Sequence, residues 1–415
     1  MSILVAGGGP AGVAAAIAAA RLGAPVTLVE RYGFLGGMGT AGLVHPWMSY
    51  YSGEKQLVGG IFAEIVGSLK NKQAFKDSSH LGLRHHCFDP EILKGVLQDL
   101  ALSAGVRLFL HTFLIGSDCS KGAVRSVRTA SKSGVEELRA DLFIDATGDA
   151  DLAFLAGVPC EKGRPGDALM QPATLHFRMG GVEEERMPSR EEMNDIYNRA
   201  QKEGRLDNPR ESLLWFDTTR RGEIHFNTTR VVRIDGTSRD DLTKAEVEGR
   251  RQMMEIVAFM IREIPGFEKA CLLYSAPQIG IRETRRIKGR ATITEEDILK
   301  GRIFEDTIAL GSYGIDIHNP EGGGTRQDVL PPGRYYGIPY GALLPYSPEN
   351  IIVAGRPISS TYEAFAAIRI QPTCYATGEA AGTAAALALK SGVKPADLPY
   401  STLRSALLAQ GAILE

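Results

Sequence analysis

Ile3-Leu4-Val5-Ala6-Gly7-Gly8-Gly9-Pro10-Ala11-Gly12 is a short apolar run that breaks into glycines. An alanine-rich stretch follows to Leu22, Gly23 closes it, and Val26-Thr27-Leu28-Val29 leads into Glu30. Strand, GxGxxG turn, helix, strand and acid within about thirty residues form the full context of a dinucleotide-binding unit, not a lone motif. Gly7 allows the tight turn, Gly9 lets the backbone approach a pyrophosphate, and Gly12 lets helix and strand pack closely. The unpaired amides at the helix N-terminus, where Pro10 and Ala11 stand, hold phosphates with help from the helix dipole. Glu30 is placed to accept hydrogen bonds from a ribose hydroxyl pair.

The next residues select among dinucleotides. Arg31-Tyr32-Gly33-Phe34-Leu35-Gly36-Gly37-Met38-Gly39-Thr40 is a glycine-dense loop where a nicotinamide-binding unit usually continues into helix and strand. Such a loop suits a backbone lying along an extended cofactor. Two distant segments complete the pattern: Leu142-Phe143-Ile144-Asp145-Ala146-Thr147-Gly148-Asp149, and Asn350-Ile351-Ile352-Val353-Ala354-Gly355-Arg356 followed by Arg369-Ile370-Gln371-Pro372-Thr373. In these three segments the chain resembles the FAD-dependent oxidoreductase family of the glutathione-reductase-like flavoprotein group. That group is related to the succinate dehydrogenase/fumarate reductase flavoproteins and to the para-hydroxybenzoate hydroxylases.

The resemblance implies an α/β fold. A Rossmann-like FAD-binding domain, with a parallel sheet plus a small β-meander, carries an inserted α+β substrate or cap domain. It implies FAD as cofactor and the binding residues Gly7, Gly9, Pro10, Ala11, Gly12, Glu30, Arg31, Gly37, Met38, Thr40, Ala146, Thr147, Gly148, Gly355, Arg356, Pro372 and Thr373. Leu114 would offer its backbone to the adenine edge. The helix beginning near Thr373 would direct its N-terminus at the flavin N1/C2 edge, where its positive end stabilises an anionic reduced flavin.

Composition supports this and closes other routes. Glycine contributes 47 of 415 residues, a share well above the ~7% that is typical. Lys and Arg number 47 against 49 Asp and Glu, for a net charge of −2, so bulk electrostatic binding to nucleic acid is not expected. Five scattered cysteines without a CxxC or Cys/His cluster argue against zinc, a dithiol centre or an iron–sulfur cluster, and suit a reducing cytosol. The apolar start lacks a basic leader region, and Arg21 ends its longest apolar run, so the expectation is a cytoplasmic chain without membrane insertion.

Length alone allows about two to three domains. Asp89 with Pro90 starts a helix that ends before Gly105. Short strands are expected at 106–115, 123–130 and 136–140, and the buried strand 142–145 follows. From about residue 152 the charge rises and no second fingerprint appears. Strands are expected at 175–179 and 223–227, with a long amphipathic helix from Lys244 to Ile264 stopped by Pro265-Gly266. The expected division is an FAD-binding domain in two parts, 1–151 and 345–415, with the substrate or cap domain at 152–344 between them.

For the chemistry, Ile281-Arg282-Glu283-Thr284-Arg285-Arg286 is the most basic short stretch of the cap. Arg282 or Arg285 is a candidate clamp for a substrate carboxylate, or a surface ion-pair residue. His318 in Asp316-Ile317-His318-Asn319-Pro320 is a candidate proton carrier beside the flavin. Tyr335, Tyr336 and Tyr340 either line the pocket or pack the junction. His45 stands where some relatives attach FAD covalently, but its local sequence differs from theirs. His85-His86-Cys87 shows no second ligand group at usable spacing, so no metal is expected. The expected function is hydride transfer between FAD and a small polar substrate, with a carboxylate as one form of it. The alternatives are an NAD(P)H-dependent flavin monooxygenase and a flavoprotein subunit of a larger redox complex. Homo-oligomerisation and a redox partner protein both stay open, and the glycines Gly322-Gly323-Gly324 have no assigned task.

Overall fold

The computed structural model describes residues 1–80 and 83–415. Ile3–Ala6 is the middle strand of a five-stranded parallel sheet, in the order Ile351–Val353, Leu142–Asp145, Ile3–Ala6, Val26–Val29, Arg107–Phe109. The inner strands read as largely apolar runs because both faces are covered. Side chains alternate between faces: Ile3, Val5, Leu28, Ile144 and Ile352 enter one core, while Leu4, Ala6, Val29, Phe143 and Val353 enter another. An antiparallel meander of Phe113–Ser120, Ala123–Ser131 and Gly134–Arg139 sends Val124 and Val127 into the second of these cores. The helices Pro10–Arg21, Pro90–Ser103 and Gln371–Ser391 build the first.

The register sets the site. Ala6 pairs with both Val29 and Asp145, and Asp145 pairs with Val353, so four strands end level. The segments that follow them, at Gly7, Glu30, Ala146 and Ala354, therefore emerge side by side. That edge, outside the carboxyl ends of parallel strands, is where open α/β sheets bind ligands.

Helix Gln371–Ser391 crosses Pro10–Arg21 at backbone contact. A Cβ built on Gly378 or Gly382 would strike the Ala11 or Ala15 backbone, and one on Gly12 would strike the Gly7 carbonyl. Between these glycines Glu379 is buried, and its Oε2 accepts the Ile61 amide at 3.0 Å, at the start of helix Gly60–Asn71. Burial raises its carboxyl to about 7 against the pull of that amide. A raised folded pKa means the protonated form stabilises the fold, fully so below the ordinary value of about 4.5, and this is lost as pH rises to 7. Glu379→Gln is therefore expected to gain about 3 kcal/mol relative to the parent between pH 4.5 and pH 8. Thermal melts of both proteins across that range give the comparison, and equal pH dependence refutes it.

A second sheet is antiparallel, in the order Trp215–Asp217, Ile224–Phe226, Phe177–Gly180, Cys271–Ser275. Helix Arg239–Glu263 lays Ala245, Gly249, Met253, Ile256 and Met260 along one buried face, and the core it forms with this sheet runs from Ala173 to Ile281, plus Leu43. Ile293, Ile308, Ile315 and Tyr336 belong instead to the core of the parallel sheet.

Local differences from the sequence reading have identifiable causes. The long helix begins at Arg239 because Ser238 caps it, accepting the Asp241 amide. The expected strand at 106–115 divides into Arg107–Phe109 and Phe113–Ser120, since His111 adopts φ 53° and Thr112 donates its amide to the Glu30 carbonyl. Tyr336 and Tyr340 are core residues, their hydroxyls donating to the carbonyls of Ala367 and Pro395. No helix among the described residues is long and apolar enough to cross a membrane.

Candidate active site

A groove runs along the level strand ends. Gly7, Gly9, Pro10 and Ala11 line it from the first turn, and Glu30, Arg31, Gly37 and Met38 from the next. Ala146, Thr147 and Gly148 form its floor, and Gly355 and Arg356 its far wall. Leu114 borders an adjoining cleft that also contains Glu30, Arg31 and Thr147. The groove fits an anionic dinucleotide. Helix Pro10–Arg21 has no side-chain cap and no acid in its first turn, which leaves its N-terminal amides and positive end directed at the glycines. Helix Gln371–Ser391 is likewise uncapped and acid-free at its start, and its first turn presents Gln371 and Cys374 to the groove.

Four expected binding residues act from behind. Gly12 packs on Gly7, and the Thr40 hydroxyl donates to the Leu35 carbonyl at 2.8 Å, which folds the glycine loop. Pro372 and Thr373 are not in the groove wall; their neighbours Gln371 and Cys374 are. Glu30 is buried, its carboxylate accepting the amides of Gly8 at 2.6 Å and Tyr32 at 2.9 Å, while burial pushes its pKa up. Arg356 is held by Asp149 at 2.6 Å and by the carbonyls of Gly148 and Ile281.

Beside the groove lies a cavity of about 370 Å³, and both share Met38, Ile281, Arg356, Arg369 and Gln371 in their walls. His318 and Arg282 line this cavity and Arg285 does not. Arg285 begins the strand Arg285–Ile287, and its guanidinium donates to Asp151 at 2.9 Å and lies over the Phe154 ring. Arg282 is partly buried, and it donates to the Pro172 carbonyl at 2.8 Å, Thr174 at 2.5 Å and Asn227 at 3.3 Å. Burial first, then the charges of Arg369 and Arg210, push its pKa well below the ordinary range.

Arg230 lies 3.1 Å from His318 Nδ1. An arginine only donates, so Nδ1 accepts and the ring proton sits on Nε2, which faces Asp316 at 3.4 Å. Burial and the Arg282 charge lower His318 to about 3, so its ring is neutral near pH 7. Burial works to raise the Asp316 carboxyl, yet the positive groups around it hold it below the usual range. The glycines at 322–324 now have a task, since the carbonyls of Gly322 and Gly324 accept from Arg230 at 3.0 and 3.2 Å.

His45, His85 and His176 form another part of the wall. His176 Nδ1 lies 3.0 Å from His225 Nε2, and His225 stacks obliquely on His45 at 4.9 Å between ring centres. His45 Nε2 lies 3.2 Å from the Asp217 carbonyl. The fold also brings Asp217 to His85 and Cys87, with ligand atoms of all three within 4.8 Å of one another, a juxtaposition sequence spacing did not show. Asp217 Oδ2 accepts from Lys76 at 2.7 Å and Ser78 at 2.9 Å, and burial pushes the Cys87 thiol up to about 12.

The sequence reading did not name Arg210, Arg369 or Gln371 as site residues. Arg369 and Gln371 lie within the quoted segment beside Pro372, so its whole length was the available signal. Arg210 stands in no motif.

Comparison with known proteins agrees with this geometry. The FAD dependent oxidoreductase family matches residues 2–407, and the chain belongs to that family. It is an FAD-dependent enzyme. Among solved structures, the chain is similar in fold to the flavin-dependent brominase Bmp2, with TM-score 0.50, 12% identity, and coverage of 97% of this chain and 82% of that one. A geranylgeranyl bacteriochlorophyll reductase-like protein from Thermoplasma acidophilum gives TM-score 0.47 at 12% identity, covering 98% of this chain and 82% of that one. The p-nitrophenol 4-monooxygenase PnpA from Pseudomonas putida gives TM-score 0.47 at 12% identity, covering 98% and 83%. No curated protein matches the chain.

Proposed function

We propose that the chain transfers a hydride between FAD in the groove and a small polar substrate in the adjoining cavity. The observation that carries this reading is the shared wall: Met38, Ile281, Arg356, Arg369 and Gln371 face both spaces, so a molecule in the cavity lies against the inner end of the groove. Bound FAD supplies the hydride acceptor or donor. In this reading His318, whose Nε2 carries the ring proton, donates a hydrogen bond from that atom to the substrate, and the ionised Asp316 beside it takes the proton released on oxidation. Arg282 contributes to the positive lining, and the second sheet with its helix, whose core runs from Ala173 to Ile281, closes the cavity over the FAD-binding domain, to whose core Ile293, Ile308, Ile315 and Tyr336 also belong. The wider kinship with glutathione-reductase-like flavoproteins rests on the same three quoted segments.

The test is anaerobic reduction of the purified, FAD-loaded protein with small acids and alcohols, followed by flavin absorbance. Bleaching without NAD(P)H is the expected result. His318→Asn is expected to slow it by about 10²-fold or more while FAD retention stays unchanged. Reduction by NAD(P)H alone, coupled to oxygen insertion into an aromatic compound, establishes the monooxygenase alternative instead. Failure to bind FAD overturns both.

A further inference from the structure

Arg210 stands apart from the other arginines of the cavity. It is 5% exposed and lines the cavity wall, yet its Nε and Nη1 have no hydrogen-bond partner. Arg369, on the same wall, spends Nη2 on Gln171 and the Asp316 carbonyl, and its buried Nε is likewise unpartnered. By contrast, Arg282 is satisfied by two carbonyl-type oxygens and a hydroxyl, Arg356 by Asp149, and Arg230 by Glu211 at 2.9 Å. Of the two cavity carboxylates, Glu211 is thus engaged and Asp316 faces His318 and Arg369. The wall therefore carries more guanidinium than carboxylate charge, and Arg210 and Arg369 keep donor nitrogens without partners.

A buried guanidinium without partners is costly to the fold. It is retained at little net cost only if something completes it, and the complement of a planar array of N–H donors is a planar pair of oxygens. We infer that the cavity takes a small organic acid whose carboxylate is anchored by Arg210, with Arg369 on the same wall adding positive charge. This rests on the reading of the cavity as the substrate site, and it moves the anchoring role from Arg282 to residues outside the basic stretch.

Titration of the FAD-loaded protein with glycolate, malate, succinate and benzoate, their amides, and inorganic phosphate tests the assignment by calorimetry and by the flavin spectrum. At least one carboxylate is expected to bind, with its amide at least tenfold weaker. Arg210→Met is expected to cut that affinity roughly tenfold to a hundredfold. It is also expected to leave the melting temperature of the ligand-free protein unchanged or higher, the opposite of what a merely structural arginine gives. If the Met variant does not fold, Arg210→Lys serves; it keeps the charge, loses the two-bond geometry and is expected to bind with intermediate affinity. Binding of amides as tight as acids, binding of phosphate alone, no binding by any probe, or an unaffected Arg210 variant overturns the inference. Flavin reduction by a neutral substrate with no acid binding overturns it while the hydride-transfer reading stands. Carboxylate binding that never perturbs the flavin leaves the anion site and removes the reading.

Discussion

Gly378→Ala is expected to cost about 3 kcal/mol or more, and most of the bound FAD with it. The change adds one carbon, whose position lies 2.5 Å from the Ala11 Cα and 2.6 Å from its carbonyl carbon. Neither atom can swing aside as a side-chain tip can, so one helix must move. Overpacking of a core by a single methyl group usually costs ~1–3 kcal/mol, and backbone against backbone lies at the upper end. The motion also reaches the ligand. Helix Gln371–Ser391 brings Gln371 and Cys374 to the groove, and Pro10–Arg21 brings the amides expected to hold the pyrophosphate. Gly67→Ala is the matched control: it adds the same carbon inside helix Gly60–Asn71, where nothing lies within 4 Å. It is expected to be neutral or to stabilise by ~0.5–1 kcal/mol. Melting temperature and flavin retention of the two variants decide the matter, and equal behaviour refutes the crossing as the critical contact.

Acid is expected to unfold the protein through its buried histidines. Burial lowers His45, His176 and His225 well below the ordinary value, and His318 to about 3. A histidine depressed on folding contributes stability that is fully present above its unfolded pKa of about 6.5 and is lost as pH falls toward the folded value. Each such ring gives a slope of ~1.4 kcal/mol per pH unit in that window, because the unfolded chain binds the extra proton. Glu379, at about 7, and Asp151, raised to about 6 mainly by burial, oppose this because the folded chain keeps their protons. Glu30, Asp145 and Glu283, also raised by burial, act in the same sense. The four rings and carboxyls held below the usual range, such as Asp217, Asp297 and Asp316, act against them, and the expected net is a fall in stability on acidification. His225→Gln removes one ring, so its melting temperature is expected to gain on the parent steadily from pH 6.5 to pH 4.5. A constant difference across that range refutes the titration of His225 as a source.

The cofactor groove was legible because its residues work in short local segments. One turn supplies Gly7, Gly9, Pro10 and Ala11, one strand end supplies Glu30 and Arg31, and the ATG turn follows a strand that must pair with the first. The cavity was not legible for the opposite reason. Its wall is collected from His45, Arg210, Arg282, His318 and Arg369, and no periodicity links an arginine in a loop near residue 210 to one in the last hundred residues. Arg285 shows how little sequence proximity decides: three residues from Arg282, it enters a strand paired with Lys162 and turns to Asp151. Pro372 and Thr373 mark the right helix start, while its geometry puts Gln371 and Cys374 forward.

The threading of the parallel sheet also governs how the chain is made. Ile351–Val353 closes one edge, and Gln371–Ser391 covers the alanine face of Pro10–Arg21, so that helix finds its partner only about 350 residues further along the chain. Until then Ala14, Ala15 and Ala18, each fully buried in the finished protein, have no lid. On the ribosome the nucleotide-binding sheet thus stays unfinished until Ile351–Val353 and Gln371–Ser391 have emerged, and the FAD groove cannot be complete before then.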